Sequence, residues 1–282
     1  MVRLTGVNDE PSKEWDLEIG LDTLDELGVK YVEMRAVDGK NVDELSDEAF
    51  AQVCQRLQAR GFTATGYDSN LGKCELSPEN WPLEEARMTK AIERANLIGS
   101  PLIRTMGYRR GECSVREWLD RTMAWFAALT EMAEEAGKTL VLENCLTRET
   151  SMGSAPNDCL DIMTTVGSPN LRMNLDPGNF AYFGQDALEG FDLLKDYVAN
   201  VHLKDYGKPM DQSTACLAGD GIAHVREILK GLKEMDYSGC FTIEPHLRMT
   251  ESFHYSGIED YKRAGERIKE LLREAGFEVD KG

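Results

Sequence analysis

Strand-like and helix-like segments alternate along the whole chain, and that regularity limits the folds open to it. A strand over 3–7 is followed by a helix over 16–27, a strand over 31–35 and a helix over 47–60. Next come a strand over 62–67, a helix over 83–98, a strand over 102–106 and a long amphipathic helix over 114–136. Ser114 and Glu117 have capping-box spacing at the start of that helix. The second half repeats the order, with strands over 139–143, 171–175, 198–202 and 240–244 separated by helices over 158–166, 187–197 and 225–235, and a last helix over 258–275. Gly28, Gly61, Gly99, Gly137, Gly167 and Gly239 each fall between a helix and the next strand, where a left-handed glycine commonly ends a helix.

Parallel strands need long crossovers, usually helical. Eight such units favour a closed α/β architecture, the (β/α)8 TIM barrel, over a doubly wound sheet, which more often stops at five or six strands with a glycine-rich phosphate turn. Neither GxGxxG nor GxxxxGK[ST] occurs. With 282 residues and 41% hydrophobic content, the chain suffices for a single barrel domain over 1–282, and no Pro-rich linker divides it.

The last four strand-like runs share a second property. The run 139–142 is followed by Glu143, 171–175 by Asp176, 198–201 by His202 and 240–243 by Glu244. In a parallel barrel the C-terminal strand ends converge on one mouth, so these side chains are expected in one composite site. Three carboxylates and an imidazole form a hard donor set for one divalent metal ion. Mn²⁺ is expected ahead of Mg²⁺, Co²⁺ or Zn²⁺. Read singly, a strand-end acid could equally cap the next helix or salt-bridge a neighbour.

A formal net charge of −18 and a pI near 4.7 disfavour nucleic acid as a partner, since such binding depends on Lys and Arg displacing counterions. No long apolar core lies behind Arg3, and no run approaches the roughly 18 apolar residues of a membrane span. The expectation is a soluble, cytoplasmic protein without a membrane partner, with self-association into a homo-oligomer left open. Seven cysteines, odd in number and without a CxxC pair, fit reduced thiols better than a disulfide framework.

The segments Leu142-Glu143-Asn144, Asn174-Leu175-Asp176-Pro177-Gly178-Asn179, Val201-His202-Leu203-Lys204-Asp205 and Thr242-Ile243-Glu244, with 27–33 at the second strand, carry a more specific signal. Together they resemble the xylose isomerase-like TIM-barrel family of sugar isomerases and epimerases, the superfamily that also contains endonuclease IV. The resemblance spans nearly the whole chain. It implies that Glu143, Asp176, His202 and Glu244 bind one divalent metal and that the partner is a small-molecule carbohydrate substrate. It further implies that Glu143 and Glu244 flank that substrate and exchange its proton. A metal-polarised carbonyl acidifies the neighbouring C–H, a nearby carboxylate removes the proton, and an enediolate results.

Three outcomes then diverge. Reprotonation from the opposite side gives an epimerase, and proton return at the adjacent carbon gives an isomerase. Loss of a β-leaving group gives a lyase, such as an inosose or dehydroshikimate dehydratase or an enzyme cleaving a 3-keto-glycoside. An isomerase or epimerase of a keto sugar or related polyol is the first expectation, and the lyase the alternative. Endonuclease IV-like DNA repair is remote, because that chemistry resembles a histidine-rich trinuclear zinc site and this chain has four histidines. A non-catalytic sugar-binding protein would be indicated by binding without turnover.

Two departures from the family pattern bear on the substrate. Asn179 stands where many of its epimerases carry histidine, and it can hydrogen-bond a hydroxyl but not relay a proton. Lys204 and Lys208 stand where an arginine is common.

Several further residues are candidates. Lys204 shares strand parity with His202, so it would hold an oxyanion or act as an acid; the alternative is a lysine paired with Asp205. His246, two beyond Glu244, is a catalytic proton shuttle or an orienting imidazole. Glu33, with Arg35 two beyond, is the expected contact to a substrate hydroxyl; Asn179 is expected to bind the substrate too, and so is Tyr108, as one aromatic of an apolar wall at the mouth. Arg104 would bind an acidic or phosphorylated substrate bidentately, or else neutralise the strand-end acids. The 69–73 segment resembles a ligand-reaching loop in some family members, or is an ordinary turn. Trp15, Tyr67, Phe180, Tyr182 and Phe253 could form an apolar wall. The irregular stretches 206–223 and 245–257, the second containing His254, are candidate lids.

Overall fold

The computed structural model describes residues 1–145, 151–248 and 255–282. Its strands are Val2–Val7 (β1), Tyr31–Met34 (β2), Thr63–Leu71 (β3), Leu102–Thr105 (β4), Thr139–Glu143 (β5), Leu171–Leu175 (β6), Val198–Leu203 (β7) and Cys240–Ile243 (β8). They pair in parallel in chain order, and β8 returns to β1 with Leu4 opposite Phe241 and Gly6 opposite Ile243. The result is a closed eight-stranded barrel, which leaves the ring no free edge. A short strand, Val279–Asp280 (β9), pairs with β1 outside the ring; two residues are too few for the sequence pattern to have marked it.

The crossover helices are Leu17–Glu26 (α1), Asp47–Ala59 (α2), Trp81–Ile98 (α3), Val115–Glu135 (α4), Pro156–Val166 (α5), Ala187–Leu194 (α7), Val225–Glu234 (α8) and Ile258–Glu274 (α9), with a short Pro177–Tyr182 helix (α6) inserted after β6. The expected capping box is present on α4: the Ser114 hydroxyl accepts from Glu117 N, and the Glu117 carboxylate accepts from Ser114 N at 3.0 Å. The buried positions of α4, Thr122, Trp125, Phe126, Leu129, Thr130 and Ala133, recur every three or four residues.

Five of the six glycines expected to end helices do so, with φ between 64° and 72° at Gly28, Gly61, Gly99, Gly137 and Gly167. Gly239 is the exception. Asp236, at φ 56°, ends α8 instead, and Tyr237 N closes the turn on Leu232 O at 3.0 Å. Gly239 answers a different need: a Cβ there would collide with the Tyr237 hydroxyl and the Ala199 carbonyl.

Strand alternation separates two environments. Leu140, Leu142, Met173, Leu175, Val201, Leu203, Phe241 and Ile243 belong to the buried apolar core. The polar residues among those intervening, Asn174, Asn200 and Thr242, hydrogen-bond across the lumen. Thr5 Oγ1 lies 2.9 Å from Thr65 Oγ1, and Asn200 Nδ2 donates to Glu33 Oε1 at 2.8 Å and to Asn174 Oδ1 at 3.0 Å. Thr242 Oγ1 reaches Asn200 Oδ1 at 3.1 Å. Where many barrels stack bulky branched side chains, this lumen holds a hydrogen-bonded polar layer, and the site rests on it.

The 206–223 stretch is anchored at its root: the Asp205 carboxylate accepts backbone N–H bonds from Gly219, Gly221 and Ala223 at 3.1, 3.0 and 2.9 Å. Phe253 and His254 lie outside the described residues. All seven cysteines are free thiols. Among the described residues, no helix is long and apolar enough to cross a membrane.

Candidate metal centre at the barrel mouth

Each of the four strand-end residues arrives by local necessity. Glu143 is the last residue of β5, and Asp176 follows β6 as the N-cap of α6, its Oδ1 accepting from Asn179 N at 3.0 Å. Asn144 ties the two strand ends together, its Oδ1 accepting from Asp176 N and its Nδ2 donating to Asp176 O, both at 2.8 Å. His202 lies on β7, and Glu244 follows β8. All four are buried, and one donor atom from each falls within 4.8 Å of the others. A cation with bonds of about 2.0–2.2 Å holds its ligand atoms within about 4.4 Å of one another, so only a small inward adjustment separates this arrangement from a coordination sphere.

The His202 ring is oriented from beneath. Its Nε2 lies 2.8 Å from Glu33 Oε2 and 3.0 Å from Asn174 Nδ2, while Nδ1 faces Glu244 Oε2 at 3.0 Å and Glu143 Oε1 at 3.6 Å. Nδ1 is therefore the nitrogen open to a metal. Glu33, expected at a substrate hydroxyl, has both oxygens committed: Oε2 to the imidazole and Oε1 to Asn200 and Thr242.

Lys204 enters the cluster as its strand parity predicted, with Nζ 2.5 Å from Asp176 Oδ2 and 2.6 Å from Glu244 Oε2. Its partners are these ligand candidates, while Asp205 is engaged with backbone amides. The wider mouth is rich in acid. Asp9, Glu10, Glu33, Asp68, Glu143, Asp176 and Glu244 are buried, against the buried permanent cations Arg35, Arg104 and Lys204. The surplus of buried carboxylates over cations fits a divalent cation.

Electrostatics follow from these contacts. Burial alone would raise the Glu143 carboxyl, but Arg104 and His202 outweigh it and hold the group at about 2. Glu244 is likewise held well below its ordinary value, because Lys204 and His202 overcome its burial. Burial lifts Asp176 to about 6 despite Lys204. The Lys204 ammonium is strongly buried, yet Asp176 and Glu244 keep it protonated well beyond the usual lysine range. Burial sends the Cys145 thiol up to about 12, assisted by Glu143, so it is not a ready nucleophile.

The remaining candidates divide. His246 Nε2 lies 3.1 Å from Glu10 Oε1 and 3.6 Å from Glu244 Oε1, at the rim of the cluster. Asn179 Nδ2 reaches Glu143 Oε1 at 3.5 Å, and Arg104 Nη1 reaches Glu143 Oε2 at 3.0 Å. Tyr108 is not brought to these groups. It is fully buried with its hydroxyl 3.1 Å from Glu84 Oε2 and its ring packed on Trp125 and Phe126, because the short Tyr108–Arg109 strand pairs with Ser151–Met152 and turns the side chain toward α4. Tyr67 and Phe180 are also fully buried rather than forming an open wall.

Asp9 and Glu10 escaped the sequence reading. They lie two and three residues beyond β1, so the strand-end logic applied to the first strand would have found them. Both pair with Arg35, whose Nη1 also contacts Glu244.

Comparison with known proteins agrees with this architecture. The family model described as xylose isomerase-like TIM barrel matches residues 21–271. Fructoselysine 3-epimerase of Escherichia coli O157:H7 is 29% identical over 147 residues, 52% of this chain and 51% of that protein. A 2-epi-5-epi-valiolone 7-phosphate 2-epimerase of Actinoplanes is also 29% identical over 147 residues, with 52% and 51% covered. The matches thus span about half the length of these curated relatives. Among solved structures, a D-tagatose 3-epimerase-like protein superposes with a TM-score of 0.77 at 20% identity, covering 97% of this chain and 98% of the other. The IOLI protein with a zinc atom gives 0.80 at 16% identity, with 97% and 99% covered. At such identities the superpositions speak to fold.

Proposed function

Because the chain belongs to the xylose isomerase-like TIM-barrel family, we propose that it is a divalent-metal-dependent isomerase or epimerase of a keto sugar or related polyol. The observation that carries this reading is the convergence of donor atoms from Glu143, Asp176, His202 and Glu244 within 4.8 Å in a buried, acid-rich cluster. Those four residues would hold the ion. When bound, it supplies a Lewis acid that polarises a carbonyl and acidifies the adjacent C–H. Mn²⁺ suits three carboxylates and one imidazole, with Mg²⁺, Co²⁺ and Zn²⁺ as alternatives. The names of the two epimerase relatives support proton exchange at carbon.

On this reading Glu143 and Glu244 flank the substrate: the ionised one takes the proton from one face, and the other, entering the step as the neutral acid, delivers its own proton to the opposite face. Lys204 keeps its own proton and holds negative charge developing on a substrate oxygen. Glu33 is a positioning residue: it accepts the His202 Nε2 proton and so presents Nδ1 to the ion. His246, braced by Glu10, orients Glu244, and Asn179 offers its amide to a hydroxyl.

The test is solvent exchange. The Mn²⁺-loaded protein is incubated in D₂O with a panel of ketoses, inososes and keto-glycosides, and the recovered sugars are read by NMR. Deuterium at a carbon α to a carbonyl is expected, with a loss of about 100-fold to 10,000-fold in Glu143→Gln. Product stereochemistry then separates an epimerase from a lyase. Fully loaded protein that exchanges no proton across the panel contradicts the reading.

A further inference from the structure

Two buried arginines share the mouth and are used differently. Arg35 spends its guanidinium on Asp9, Glu10 and Glu244. Among the described residues Arg104, 2% exposed, spends Nη1 alone, on Glu143 Oε2 at 3.0 Å and Asp68 Oδ2 at 3.2 Å. Its Nε and Nη2 are buried and, among the described residues, have no hydrogen-bond partner. Native proteins keep few buried donors unmade, so each such group calls for an explanation. Nε and Nη2 form one edge of the planar fork, the edge that meets two oxygens of a carboxylate or phosphate side by side. Asp68 and Glu143 sit on the other nitrogen, so they orient the fork and leave this edge uncovered.

Lys73 is the second observation. It follows β3, whose Leu71 pairs with Thr105, the residue after Arg104. Met106 N bonds Leu71 O at 2.9 Å, and Gly72, at φ 82°, lies so close to the Met106 backbone that no Cβ fits. This clamp fixes Lys73 beside the end of β4. The side chain is half-buried and, among the described residues, has no hydrogen-bond or ion-pair partner. Burial and then the Arg104 charge push its ammonium down to about 8, the behaviour of a cation set beside another cation with too little anion nearby.

We infer that Arg104 and Lys73 form an oxyanion subsite, and that the substrate of the proposed metal-centred reaction carries a carboxylate or phosphate group seated on the free Nε–Nη2 edge of Arg104. The metal-centred reading identifies the bound molecule as substrate; the subsite itself needs no metal.

The experiment is calorimetric titration of inorganic phosphate and of glycolate into the Mn²⁺-loaded and the chelator-treated protein, at constant chloride. Wild type is compared with Lys73→Met and Arg104→Gln. Lys73→Met is expected to fold normally, since no partner is lost, and circular dichroism checks both variants. At least one anion should bind with or without Mn²⁺, about tenfold more weakly in Lys73→Met and beyond detection in Arg104→Gln. Binding of phosphate alone indicates a phosphorylated substrate, and of glycolate alone a sugar acid. The subsite is overturned if neither anion binds, if binding vanishes with the metal, or if both variants keep wild-type affinity. Metal content, measured in parallel, separates the outcomes: a protein that takes up no Mn²⁺ but still binds the anion fails the functional reading and not the subsite.

Discussion

At the scale of single residues, the site depends on which atoms are already spoken for. The place of Glu33 at the end of the second strand points to a substrate hydroxyl; its oxygens instead serve His202, Asn200 and Thr242. Sequence spacing places a side chain on a face but does not say how deep it reaches. Removing the charge tests its role: Glu33→Gln should fold, yet bind Mn²⁺ about 10-fold to 100-fold more weakly in a metal titration. Asn200 joins Glu33 to Asn174 and Thr242. Asn200→Ala leaves those buried groups short of partners and should lower unfolding free energy by about 1–3 kcal/mol in urea denaturation, with little change expected if the lumen admits water in its place. Glu143, Asp176, His202 and Glu244 were legible because each ends an apolar run. Tyr108 was misread because a two-residue strand turned it into the core, and no pattern of two residues announces itself.

At the scale of elements, the sequence was most readable where a helix or strand is long and periodic, as with α4 and its capping box. Short devices were hidden. The inserted α6 begins on Asp176, a single side chain that both caps that helix and faces the cluster. The 206–223 stretch reads as an open loop, yet Asp205 fastens it through three backbone amides. Such a carboxylate clamp leaves no periodic trace. Asp205→Ala should speed hydrogen exchange at Gly219, Gly221 and Ala223 by about tenfold or more while the β-strand amides stay protected. Uniform exchange across the barrel would instead make Asp205 a global support.

For the whole molecule, eightfold alternation fixed the barrel before any side chain mattered, and ring closure then gathered strand ends distant in sequence. That is why the metal-ligand candidates could be read from the chain, whereas the polar lumen could not: Thr5, Asn174 and Asn200 look like interruptions in apolar runs until the strands close around them. The gathered acid carries an energetic cost that a bound cation would relieve. An ion bound only by the folded state at 100 times its dissociation constant adds about 2.7 kcal/mol, so Mn²⁺ should raise the midpoint of thermal unfolding by about 5 °C or more, and a chelator should reverse the gain. The most direct measurement is metal content by plasma mass spectrometry after equilibration with Mn²⁺ and gel filtration. One ion per chain in wild type and essentially none in Asp176→Ala is the expected result. Equal metal in both proteins, or none in either, would contradict a centre built from Glu143, Asp176, His202 and Glu244.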